Sequence, residues 1–367
     1  MRRALVLLAA LTLPACYVAP PGISAEELRQ LERADRGLVR VHWRAGELGR
    51  EQVQALLPEL ASVAQAVSAR IGCAPPAAAI VLWVPGGISG AGAGPVHTTH
   101  GLLTGGRLVF RYPWVADDPA EPAQLLGVTA HELTEAGVLA CVTSLDPYLR
   151  WLHDGLAELA EHEVLLARFP AQARATLERN LELVVAQRAR GVTRIDLLGW
   201  RQLAPWIVRS QRFLGEGGNL SLEDLPGSRA RIRAALERTT TVEERRRGLL
   251  ELREVLDHVE VTAARERGSD WASPEDPTVR DLLFYVSAQA VWLHLERRAP
   301  GAARRAVEEL LRRQREENDH VLASAEGLEL LQKAAAGRVT PLPLGELTLE
   351  AVEEVLRQEL ARVEVPR

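Results

Sequence analysis

The chain has 367 residues, 47% of them hydrophobic and 25% charged, enough to bury a sizeable core in one large or two modest domains. Its formal charge is −5 with no large single-sign block, which argues against a nucleic-acid surface. Positive charge comes almost entirely from arginine, with Lys333 the only lysine, a bias of composition that points to no function.

In chain order, Arg2 and Arg3 precede an apolar run, Ala4 to Leu13, too short to span a bilayer as a mature helix. Leu13-Pro14-Ala15-Cys16 then resembles the lipobox of a bacterial lipoprotein signal, although Pro14 is not its usual residue. The resemblance implies removal of residues 1–15, lipidation of Cys16 and a membrane anchor. An ordinary secretory signal cut nearby is the alternative. Tyr17 after the cysteine, rather than Asp, favours an outer-membrane anchor facing the periplasm. Residues 16–24 read as a tether rich in Pro and Gly.

Residues 25–145 read as an α/β lobe. A first helix, capped by Ser24, is expected through about Ala34, then a strand at Gly37–Trp43 and an amphipathic helix at Glu51–Ile71. Ala79–Val84 reads as a buried strand. The glycine-rich stretch 86–95 reads as a flexible loop; no Lys-Ser/Thr pair closes it as a phosphate cradle would need. Val96–Thr104 and Arg107–Tyr112, joined at Gly105-Gly106, read as a hairpin, and Ala123–Val142 as a helix. Residues 146–367 form a helical lobe, with helices expected at 148–169, 171–190, 199–214, 222–239, 242–267, 278–298, 301–317 and 349–363. The fold class is α+β, mostly helical. Cys73 and Cys141 can bridge in an oxidising envelope compartment; two buried free thiols are the alternative.

The Ala123–Val142 helix carries His131-Glu132-Leu133-Thr134-Glu135, an H-E-x-x-H pattern with Glu in the last position. Positions i and i+4 share a helix face, so His131 and Glu135 can aim at one point, with Glu132 rotated by ~100° beside it. The next helix carries Trp151-Leu152-His153-Asp154-Gly155-Leu156-Ala157-Glu158.

These two segments resemble the gluzincin metallopeptidases, and more narrowly the bacterial peptidase MA-like proteins related to aminopeptidase N. There the third metal ligand is the Glu of a W-L-x-E-G-x-A-E segment on the next helix, eighteen residues beyond the second His. Here Ala136 to His153 give the same eighteen-residue interval before Asp154. The resemblance covers about Val39 to Ala303 and implies a zincin-like fold, with Arg107–Tyr112 as the cleft-edge strand. It implies His131, Glu135 and Asp154 as ligands of a divalent cation, and Glu132 as the base that takes a proton from attacking water. Phe284 to Leu293 resembles a downstream family helix, in which Tyr285 would steady an oxyanion.

Two departures matter. Glu135 is an anionic oxygen donor where the family has an imidazole. Asp154 reaches about 1.3 Å less than Glu. Two carboxylates shift the preference from Zn²⁺ toward harder ions such as Mn²⁺ or Fe²⁺. Three readings stay open: a metal-dependent peptidase, a weak metal binder without ordinary peptidase activity, and a metal-free pseudopeptidase that binds peptides or envelope proteins as a scaffold. His153 is the best substitute ligand. Adjacent helix positions diverge by ~100°, however, so it is expected to stay partly exposed. Glu158, one turn after Asp154, is expected to pair with a neighbour. His162 is expected to point away from the site. His97 and His100 would meet at a metal only if their segment turns. His258, His294 and His320 lack a partner motif and read as structural.

Overall fold

The computed structural model describes residues 25–84, 102–104, 107–115, 118–141, 150–200, 225–238, 241–243, 277–316 and 324–363. The signal segment, Cys16, the tether, the glycine-rich loop, His97, His100, His258 and His320 lie outside the described residues, as do most of the helices expected at 199–214 and 242–267.

A small mixed sheet precedes a mostly helical remainder. Helix α1 (Ala25–Gln30) leads into strand β1 (Glu32–Arg36), which pairs antiparallel with β2 (Val39–Trp43). The helix expected to reach Ala34 thus stops at Gln30. Glu32–Arg36 has one apolar residue, Ala34, to turn inward, which suits an alternating edge strand better than a helix face. Gly37 makes the turn with φ of 60°, a left-handed value that glycine reaches without strain.

Helix α2 (Arg50–Ile71) buries Val53, Leu57, Leu60, Val63, Val67 and Ile71 on one stripe and ends at Gly72, again left-handed. Strand β3 (Ala77–Trp83) lies parallel to β2. Strands β4 (Leu102–Thr104) and β5 (Arg107–Pro113) pair antiparallel, and β5 runs parallel to β3. The order is β1-β2-β3-β5-β4, so three parallel strands are flanked by two antiparallel ones. This corrects one expectation: β5 lies inside the sheet and β4 takes the edge. Leu108, Phe110 and Tyr112 of β5 are buried, as an interior strand requires.

The helices that follow are α3 (Glu121–Cys141), α4 (Arg150–Arg168), α5 (Pro170–Ala189), α6 (Leu225–Glu237), α7 (Pro277–Arg298), α8 (Ala302–Glu316), α9 (Ser324–Ala335) and α10 (Leu349–Arg362). Helix α9 and the short ribbon of β6 (Arg194–Ile195) with β7 (Leu347–Thr348) were not expected; each of those strands is too short to show a period. One cluster of buried apolar residues runs from Val39 to Val363, so sheet and helices share a core.

Glycines set two helix spacings. A Cβ on Gly137 of α3 would sit 2.7 Å from Ile71 Cδ1, and one on Gly155 of α4 would sit 2.6 Å from the Trp292 ring of α7. Trp292 is itself fixed: its indole donates to the Trp151 carbonyl at 3.3 Å and stacks on the Trp151 ring. Helix α4 is thereby held against α7 and helix α3 against α2, and the residues of interest lie where α4 faces α3.

Candidate metal centre

Leu126, Ala130 and Leu133 of α3 are fully buried, as are Trp151, Leu152, Leu156 and Leu159 of α4. This apolar packing fixes the two helices side by side and leaves a polar strip between them. His131 and Glu135, one turn apart on α3, meet Asp154 of α4: each offers a ligand atom within 4.8 Å of the others. Ligands on one ion with bonds of ~2.0–2.2 Å stand roughly 3–3.6 Å apart, so a small closure would complete the set. The expected trio is brought together.

The rest of the strip is just as crowded. His131 Nδ1 lies 3.4 Å from Glu158 Oε1 and 3.6 Å from Glu161 Oε2, and these three form a second group able to hold a cation. Burial pulls His131 down, but hydrogen bonding to Glu158 and Glu161 outweighs it and holds the imidazole well above the ordinary histidine range. Burial pushes the Glu158 carboxyl up, against the pull of His131. Carboxylates on Nδ1 fix the orientation of a ligating imidazole and leave Nε2 for the metal. Glu158 therefore pairs as expected, with His131.

Asp154 has a partner that sequence reasoning missed. Arg150 Nε donates to Asp154 Oδ2 at 2.8 Å, and both side chains are buried. The same guanidinium donates through Nη2 to the Tyr285 hydroxyl at 2.7 Å and lies 4.5 Å over the Trp200 ring. Tyr285 stands beside His131, ring centres 6.2 Å apart. Helix α7 thus brings its phenol to the centre, held there by Arg150. An i,i+4 Arg–Asp pair was legible in the sequence; that it would be buried was not.

His153 differs from its expected place. It is 2% exposed, and its Nδ1 has no hydrogen-bond partner among the described residues. That nitrogen lies 3.6 Å from Glu135 Oε1 and 3.8 Å from Asp154 Oδ2. The ~100° divergence from Asp154 does not carry it to solvent, and Glu135 of α3 stands beside it. Glu132 is buried on α3. His162 points away as expected, onto Glu359 of α10 at 3.0 Å, and His294 sits against the Thr340 carbonyl at 3.1 Å.

Cys73 and Cys141 are neighbours but free thiols, not the expected bridge. Burial pushes the Cys73 thiol up to about 12, and the adjacent Cys141 adds to the rise. Thiolate is scarce at such a site, so oxidation is slow there.

The donor chemistry suits a divalent cation. Glu135, Asp154, Glu158 and Glu161 gather around two imidazoles, against one permanent cation, Arg150. The chain matches no protein-family model and no curated protein.

Proposed function

We propose that the chain is a lipid-anchored cell-envelope protein with a peptidase MA-like, zincin-like domain that holds a divalent cation between α3 and α4 and hydrolyses peptide bonds. The observation that carries this reading is the convergence of His131, Glu135 and Asp154 within 4.8 Å in a partly buried strip. The chemistry a cation supplies there is Lewis acidity toward water and a peptide carbonyl. Glu132, buried next to His131 on the same helix, takes the proton from the attacking water and passes it to the leaving amine. The Tyr285 hydroxyl, oriented by its 2.7 Å hydrogen bond from Arg150, steadies the negative charge that develops on the carbonyl oxygen. The two carboxylate ligands favour Mn²⁺ or Fe²⁺ over Zn²⁺ relative to a site with one. Among the described residues no helix is long and apolar enough to cross a membrane, so attachment would come from lipid on Cys16.

One observation favours a second reading. The Arg150–Asp154 ion pair already neutralises a carboxylate that the cation needs. A pseudopeptidase would keep this pair as packing and use the cleft to bind peptides or envelope proteins.

Metal analysis separates the two. Purified protein dialysed against Zn²⁺ and then Mn²⁺ is expected to retain one equivalent. Glu132→Gln should keep that metal and lose roughly 10²–10⁴-fold in peptide hydrolysis. A protein that stays metal-free after both treatments sinks the hydrolytic reading and leaves the pseudopeptidase.

A further inference from the structure

Where the H-E-x-x-H pattern has its second imidazole, this chain carries Glu135. An imidazole stands close by nonetheless. His153 is 2% exposed, and its Nδ1 finds no hydrogen-bond partner among the described residues. A buried ring nitrogen without a partner is costly, and such groups call for an explanation. Nδ1 points at two carboxylates, 3.6 Å from Glu135 Oε1 and 3.8 Å from Asp154 Oδ2. Those separations are too long for N–H···O hydrogen bonds, which close to about 3 Å. They are close to the spacing of donors that share one ion with bonds of ~2.0–2.2 Å. Glu135 and Asp154 are also the two carboxylates that converge with His131; His153 stands beside that trio, outside the group whose ligand atoms all lie within 4.8 Å of one another, so its ring would have to move inward to join it.

We propose that His153 is a ligand of the cation and supplies, from α4, the imidazole that α3 does not carry at position 135. This rests on the cation-binding reading above and adds a ligand to it. The donor set becomes two imidazoles, His131 and His153, with the carboxylates of Glu135 and Asp154. A second nitrogen moves the preference back toward Zn²⁺. Four protein donors would fill a tetrahedral site. Arg150 already holds Asp154 Oδ2 at 2.8 Å, the oxygen nearest His153, so that carboxylate is shared between the guanidinium and any cation bound there. Asp154 would accordingly be the weakest of the four donors, and His153 would add a neutral one that Arg150 does not contest.

The test is X-ray absorption at the zinc edge of the full chain loaded with Zn²⁺, which counts imidazoles on the ion, with affinity from competition against a chromophoric chelator. Wild type should show two imidazoles. His131→Gln and His153→Gln should each show one, with Zn²⁺ bound at least about tenfold more weakly. His153→Leu, which suits a buried position, guards against misfolding of the Gln variant. One imidazole in wild type overturns the proposal while leaving the cation-binding reading intact, and so does a His153 variant that keeps two. Wild type that binds no Zn²⁺ overturns both. The wild-type count decides the matter even if every variant fails to fold.

Discussion

Arg150→Met probes the competition between a guanidinium and a cation for Asp154. Arg150 is 4% exposed and Asp154 2%, and they meet at 2.8 Å. With an effective dielectric near 20, that distance gives a gross attraction of roughly 6 kcal/mol. Desolvation of both charges offsets much of it, but removing one partner strands the other, at about 3–5 kcal/mol. Metal-free Arg150→Met should lose about that much stability, with a smaller share from the lost donor to Tyr285 and the lost contact with Trp200. A bound cation can take over the stranded carboxylate. If it recovers half of the loss, about 1.5–2.5 kcal/mol, metal binds roughly 10- to 60-fold more tightly than in wild type. Urea unfolding with and without Zn²⁺ gives the stability change, and chelator competition gives the affinity. A metal-free variant within about 0.5 kcal/mol of wild type would show that the buried pair is not holding Asp154. An unchanged or weaker affinity would show that Arg150 and the cation do not share that carboxylate.

Gly155→Ala forces a methyl to within 2.6 Å of the Trp292 ring; overpacking of about 1–3 kcal/mol opposes the ~1 kcal/mol gain in helix propensity, so urea melts should show a net loss of up to about 2 kcal/mol, and a more stable variant would refute the close approach. Burial pushes the Glu359 carboxyl up, but hydrogen bonds from His162 and Arg297 more than reverse this and bring it down to about 2 from an ordinary 4.5. A depressed folded value means that this stabilisation, about 3 kcal/mol, is complete above pH ~4.5 and fades as pH falls toward ~2; Glu359→Gln should remove that part of the acid dependence, and an identical acid profile would contradict it. Cys73 and Cys141 should close to a disulfide when the folded chain is treated with oxidised glutathione, which is itself reduced, slowly at pH 7 and faster as pH rises, because the Cys73 thiol must first lose its proton; thiol counting that still finds both after prolonged treatment at pH 9 would rule the bridge out. Glu135→His with Asp154→Glu should tighten Zn²⁺ at least about 100-fold by calorimetry, and no gain would mean that the helix backbones have drifted from a ligating geometry.

Periodicity alone located the larger elements. The apolar stripe of α2 and the buried run of β3 are strong local signals, and both lie where they are expected. The hairpin of β4 and β5 was legible from the glycine pair between them, but its place in the sheet was not: strand order depends on contacts between segments far apart in the chain. Strand β1 escaped because Glu32-Arg33-Ala34-Asp35-Arg36 has almost no apolar period, and its pairing with β2 is what makes it a strand. At the site, spacing found His131, Glu135 and Asp154, because helix geometry relates positions along one helix and the eighteen-residue interval relates the two. Spacing misplaced His153, since exposure depends on how much of α4 its neighbour covers. It also passed over Arg150 and Glu161, which act across the helix interface rather than within the motif.

The frame around this cleft owes little to the residues that would bind a metal. Leu126, Ala130 and Leu133 on α3 and Trp151, Leu152, Leu156 and Leu159 on α4 are buried in one shared core, and Trp292 fixes α4 from behind. Apolar burial of this extent stabilises a helix pair by several kcal/mol at about 25 cal/mol per Å², whatever stands at positions 135 and 154. A chain so held can exchange one ligand for another without losing its fold. The exchange has a limit, because unpaired charge in a partly buried strip is costly and each carboxylate needs a counter-charge. Arg150 provides one for Asp154, and the imidazoles of His131 and His153 face the other three. Among the described residues, these four carboxylates stand against one guanidinium and a His131 ring made more basic by Glu158 and Glu161, and a divalent cation would add positive charge there. A pseudopeptidase would have to hold these four acids together without that charge. Their joint presence is the physical reason for preferring the cation.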